Sequence, residues 1–140
     1  MKLLITVLGL FLTITLTAQK DTKSIMYRAT KSRIVALDPS GNFWMTGDWI
    51  KTNALIALDL EKNQMTIYGE VETKLNIVKT YDDVKDAYGQ TWIRCNALTS
   101  DNKKCNIRMV LFNAPNPDKS TTSIYIDYTT TTLVFDVYKE

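Results

Sequence analysis

Residues 88–112, YGQTWIRCNALTSDNKKCNIRMVLF, form the longest hairpin pattern in the chain and hold both of its cysteines. The middle of the stretch, Thr99, Ser100, Asp101, Asn102 and Lys103, has the composition of a turn, because Asp, Asn and Ser side chains satisfy backbone groups locally. Centring the turn on Ser100 sets Cys95 opposite Cys105, Ile93 opposite Ile107 and Trp92 opposite Arg108. Side chains alternate across a strand, so the register is checked by the faces it creates. One face reads Ile93, Cys95, Ala97, Cys105, Ile107, Met109 and Leu111, and is apolar throughout. The other is mixed and carries Tyr88, Trp92, Arg94, Asn96, Asn106, Arg108, Val110 and Phe112. It reads either as an outer sheet face whose aromatics cover their neighbours or as a contact surface of Tyr88, Trp92, Arg94, Arg108 and Phe112. On the second reading Trp92 and Arg108 are placed for a cation-π contact, in a residue composition enriched at interface hot spots.

Working outward, the same period of two recurs. ALIALDL (54–60) and QMTIYGE (64–70) read as a tight hairpin that pairs Leu60 with Met65, and KLNIVKT (74–80) follows with Leu75 and Ile77 inward. TSIYIDY (122–128) and TLVFDVY (132–138) form the last hairpin with Tyr128 opposite Leu133, which turns Asp127 and Asp136 to solvent. SRIVAL (32–37) is a further strand, preceded by a flexible start and an edge strand around Ile25, Met26 and Tyr27, and stopped by the turn DPSGN (38–42). No window of ten residues has the capped apolar spacing of a helix. An antiparallel meander of seven or eight strands is therefore expected, rolled into a small, closed or nearly closed lipocalin-like barrel. The alternative is a two-sheet β-sandwich. Most inward positions are Ile, Leu, Met and Phe, which favours a filled core over a large cavity.

Two polar or aromatic clusters lie between strands. FWMTGDW (43–49) places Phe43, Trp44 and Trp49 in seven residues, a composition that suits plugging a barrel end or covering a sheet edge. Asp82, Asp83 and Asp86 are the densest carboxylates in the chain. A polar loop gives them one solvated environment, whereas acid/base chemistry needs two that split the pKa values, so solvated loop charges are favoured over a catalytic or metal role.

Residues 1–18, MKLLITVLGLFLTITLTA, combine one lysine, an apolar run and a small-residue end, and are expected to be a secretory signal peptide. No cysteine follows the run for lipid attachment. A soluble periplasmic or secreted product of residues 19–140 follows, with one domain, no membrane span and 122 residues. Losing Lys2 leaves 16 basic against 15 acidic side chains, a net charge of +1, which gives no case for nucleic acid or an anionic membrane. In an oxidising compartment two cysteines usually pair, and the register above makes a Cys95–Cys105 disulfide the expectation. The chain has no histidine, which removes the commonest general base and the imidazole metal ligand. P-loop, dinucleotide-binding and serine-hydrolase motifs are also absent. No cofactor, metal or catalytic residue is assigned.

The order of Trp44 and Trp49, the strand Ile56 to Asp59, the Ile67-Tyr68 strand, the two cysteines with nine residues between them followed by Asn106-Ile107, and the closing I-x-I-D-Y and V-Y segments resembles small exported all-β proteins common in Bacteroidetes. That resemblance implies an exported all-β domain, and no assigned activity comes with it. Gly47-Asp48-Trp49 also matches the G-x-W triplet of lipocalins. Two functions are consistent with these readings. One is a non-enzymatic protein-interaction or envelope-associated module that uses the mixed face. The other is a lipocalin-like binder of a small apolar ligand.

Overall fold

The computed structural model describes residues 24–140, so the expected signal peptide lies outside the described residues. Eleven strands follow one another: β1 Ser24–Leu37, β2 Trp44–Thr46, β3 Ile50–Lys51, β4 Leu55–Asp59, β5 Gln64–Tyr68, β6 Glu72–Thr80, β7 Val84–Lys85, β8 Thr91–Thr99, β9 Lys104–Leu111, β10 Thr122–Asp127 and β11 Thr131–Lys139. Eight of them, β1, β4, β5, β6, β8, β9, β10 and β11, make a closed antiparallel barrel in which each strand pairs with its successor. β1 closes the ring against β11 from Tyr27 opposite Lys139 to Ala36 opposite Thr131. The barrel is therefore the fold, not the sandwich. β2 and β3 are short additions along the second half of β1, and β7 is one along β8.

The first strand departs from expectation. It is neither flexible over residues 24–31 nor an edge, because its first half pairs with β4 while residues 27–36 pair with β11. Closure requires curvature, and two bulges supply it, at Thr30 in β1 and Val78 in β6, where the register slips by one residue.

Alternation fills the interior as read from the sequence. Ile56, Leu75, Ile124, Ile126 and Val137 have no measurable exposure, and Met65, Ala97, Ile107 and Ala29 almost none. These positions come from all eight barrel strands, so the core is one contiguous cluster.

Each hairpin keeps the expected faces but shifts its partners by two residues. Cys95 lies opposite Ile107 and Cys105 opposite Ala97; Met65 faces Leu58 rather than Leu60; Leu133 faces Ile126 rather than Tyr128. The cause in the central hairpin is the turn itself. Asn102 takes a left-handed conformation (φ 63°), and the Thr99 amide donates to the Lys103 carbonyl, which centres the loop on Asp101. The expected disulfide is thereby lost: Cys95 and Cys105 are diagonal neighbours on the inward face, both buried and both free thiols. Leu60 is left in the β4–β5 turn, half exposed.

Asp136 is a further correction. It points outward from the barrel, yet it is only 5% exposed, because the Ser123 hydroxyl donates to it at 2.6 Å and Lys31 approaches it at 3.5 Å.

Two outcomes are expected. Ile124→Ala should destabilise the barrel by about 3 kcal/mol in urea unfolding, whereas Val78→Ala at the exposed bulge should change stability by less than about 0.5 kcal/mol. Iodoacetamide should leave the native protein unmodified at pH 8 and add two groups in denaturant without reductant. An unreduced, denatured chain that takes up none would restore the disulfide.

Candidate functional site

The strand pairing lines up outward side chains in rows that cross β8, β9, β10, β11 and β1. One row runs Trp92, Val110, Ser123, Asp136, Lys31. The next runs Arg94, Arg108, Tyr125, Val134, Arg33. The third runs Asn96, Asn106, Asp127, Thr132, Val35. Inter-strand spacing is close to 4.8 Å, so side chains successive along a row are in contact range.

Of the five expected surface residues, the rows bring three together. Arg94 and Arg108 are direct partners, and Trp92 is one pair away, opposite Val110 and not Arg108. The expected Trp92–Arg108 contact is replaced: Arg108 lies over the Tyr125 ring at 4.5 Å, and Trp92 stacks on the same tyrosine at 6.3 Å between centroids. Trp92 is also pinned by its indole N–H, which donates to Asp86 Oδ2 at 3.0 Å. Tyr88 sits apart in the β7–β8 connection, 83% exposed, and Phe112 follows β9, half-buried.

Asp86 thus has a structural role that its loop position concealed. It accepts the amides of Tyr88 and Gln90 as well as the Trp92 indole, so it folds the turn and fixes the tryptophan. The indole hydrogen bond chiefly, with the two amides, holds its pKa below the usual carboxylate value against the opposing effect of desolvation. Asp82 and Asp83 remain exposed. Among the described residues no three His, Cys, Asp or Glu side chains gather as a metal site.

Arg108 and Asp127 form a bidentate pair at 2.6 and 2.8 Å, and Thr132 donates to the same carboxylate. Burial alone would raise the Asp127 pKa; the hydrogen bonds from Arg108 and Thr132 and the arginine charge outweigh it and leave the pKa lowered. Across the barrel wall, Lys31 is held between Asp118 at 3.4 Å and Asp136 at 3.5 Å, at the bulge where the Thr30 hydroxyl donates to Asp118. Hydrogen bonds from Ser120 do most to pull the Asp118 pKa down to about 2. The proline-containing loop over residues 113–120 is docked onto β1 by these contacts.

The segment over residues 43–49 does not plug the barrel. Phe43, Trp44 and Trp49 are exposed by 60%, 51% and 38%, and β2 and β3 carry the segment along the outside of β1. Trp49 lies against Lys31 and Arg33, 4.8 and 4.3 Å from its ring centre. Gly47 of the G-x-W triplet is needed here for another reason: its amide donates to the Ile34 carbonyl at 2.7 Å, and a Cβ would meet that oxygen at 2.9 Å.

Inside the barrel, packing is incomplete at one end. A cavity of about 130 Å³ lies among Leu58, Met65, Ile77, Ile93, Cys95 and Met109, with Asp59, Asn63 and Thr80 contributed by strand ends and a turn. Desolvation, followed by the proximity of Cys105, pushes the Cys95 thiol up to about 11, so it stays neutral and behaves as part of an apolar wall. Sequence reasoning missed this cavity because alternation fixes which residues point inward and not how completely their volumes fill the space. It also missed Arg33, Trp44, Tyr125 and Asp127 as neighbours of the central hairpin, although the alternation in β10 did place Asp127 outward.

The sign of the acid response follows from these groups. Asp118 and Asp127 have folded-state pKa values below their ordinary 3.8, so their contribution to stability is complete above about pH 5 and is lost as pH falls through the folded values. Thermal midpoints should decline from pH 5 towards pH 2, and Asp118→Asn should flatten the lower part of that decline. No family model, curated protein or solved structure matches this chain.

Proposed function

We propose that this chain is a non-enzymatic carrier of a small apolar ligand, held in the end of its barrel. The observation that supports the reading is the 130 Å³ cavity, walled chiefly by aliphatic and sulfur side chains of the buried core. Well-packed interiors leave few voids larger than a water molecule. A cavity of about 150 Å³ with comparable lining stays dry and takes benzene or xenon, so a ligand of one small ring or a short branched chain is the size that fits. Met65 and Met109 suit this role, since the thioether side chain adapts to irregular shapes and contacts aromatic rings favourably.

The competing role, a protein contact through Tyr88, Trp92, Arg94, Arg108 and Phe112, has less support. Trp92 and Arg108 are engaged with Asp86, Tyr125 and Asp127 within the chain, so a partner would find their polar groups already satisfied. The absence of histidine from the sequence is in keeping with binding rather than acid/base chemistry. An exported location also fits this proposal.

Titration with benzene, followed by the methyl resonances of Met65 and Met109, tests it. Saturable shifts confined to the cavity methyls are expected, glycerol should produce none, and Ile93→Trp should abolish them by filling the space. Unchanged methyl resonances at saturating benzene, or shifts that persist in Ile93→Trp, would refute the carrier role.

A further inference from the structure

The second outer row holds three arginines, Arg94, Arg108 and Arg33, and each is backed by an aromatic ring. Arg94 lies 5.6 Å from the Tyr81 ring centre, Arg108 4.5 Å from that of Tyr125, and Arg33 4.3 Å from that of Trp49. Only the middle one has an acidic partner: among the described residues Arg108 pairs with Asp127, and neither Arg33 nor Arg94 forms an ion pair. Arg94 faces Arg108 directly across the strands, an arrangement of like charges that costs stability. The Nε of Arg33 is buried without a hydrogen-bond partner. A guanidinium stacked on a ring keeps its in-plane N–H edge free for a carboxylate, which is how stacked arginines recognise anions.

Arg33 also lines an open groove of about 380 Å³ with Trp44, Arg108, Tyr125 and Val134. Its floor is low, with Val35, Thr132 and Val134, and the exposed Trp44 indole stands at its side. The strands beneath are paired on both edges, so a peptide cannot be bound there by strand addition, and recognition is left to side chains. The net charge is only +2, too low for the concentrated positive field that a polyphosphate needs. Aromatic faces take the apolar C–H face of a saturated ring, and lone guanidiniums take its carboxylate.

We propose that this groove is a binding site for an acidic oligosaccharide, with the Trp44 ring stacking on a sugar and Arg33 pairing with a uronate carboxylate. Arg94 sits on β8, half the ring of strands away from β1, and lies outside this groove. Arg108, already neutralised by Asp127, lines the groove and is not a ligand residue.

Tryptophan fluorescence during titration with tetragalacturonate tests the assignment on the intact chain. Saturable binding is expected, weakened at least tenfold by Arg33→Gln and by Trp44→Ala, and unaffected by Lys85→Gln on β7. The fully methyl-esterified tetramer, which has the same rings without charge, should bind at least tenfold more weakly, and so should poly-glutamate, which has the charge without the rings. Both substituted side chains are at least partly exposed, and an unchanged thermal midpoint would show that the variants fold. The proposal is overturned if wild type shows no saturable response, if the ester or poly-glutamate binds as well as the acid, or if Arg33→Gln retains full affinity.

Discussion

The backbone ladder between β1 and β11 is the constraint on which the rest of the structure depends. Without it the meander would be an open sheet with two unpaired edges and an apolar face half exposed; with it every barrel strand has a neighbour on each side and the inward face becomes an interior. The bulge at Thr30 serves the same closure. It turns β1 so that its early residues pair with β4 and its later residues carry β2 and β3, and it presents Thr30 and Lys31 to Asp118.

How much of this was legible follows from what alternation can encode. The inward or outward sense of each strand was correct in all three hairpins, because burying the wrong parity would put charged residues such as Arg94 and Arg108 in the core. Slipping the partners by two residues leaves that sense untouched, so the apolar pattern does not distinguish Cys95 opposite Cys105 from Cys95 opposite Ile107. The turn decides, through Asn102 in a left-handed conformation, and with it decides whether two thiols are paired or diagonal. Closure of the first strand on the last was not encoded in any local pattern, which is why Arg33 and Trp44 could not be placed beside Arg108 and Tyr125 from sequence.

The aromatic residues illustrate a second limit. Three aromatics within residues 43–49 suggested a plug, but the interior is filled mainly by aliphatic side chains from all eight barrel strands, and the segment lies outside where rings and cations meet. The outer wall is consequently not a uniform solvated surface. It holds a neutralised centre, Arg108 with Asp127 and Lys31 with Asp136, flanked by Arg33 and Arg94, which form no ion pair among the described residues.

Pairing of Tyr27 with Lys139, together with the hydrogen bond from the Glu140 amide to the Met26 carbonyl, brings the two ends of the described chain side by side. A ring of strands with adjacent ends has no privileged starting point. Its chain could be joined at Ser24 and Glu140 and reopened at the exposed β5–β6 turn, Gly69, Glu70 and Val71, giving a permuted sequence with the same strand neighbours and the same interior. Ser24 pairs with Asp59, so a linker joining the old ends would run past the rim of the barrel that leads to the cavity, where its composition could widen or narrow the entrance.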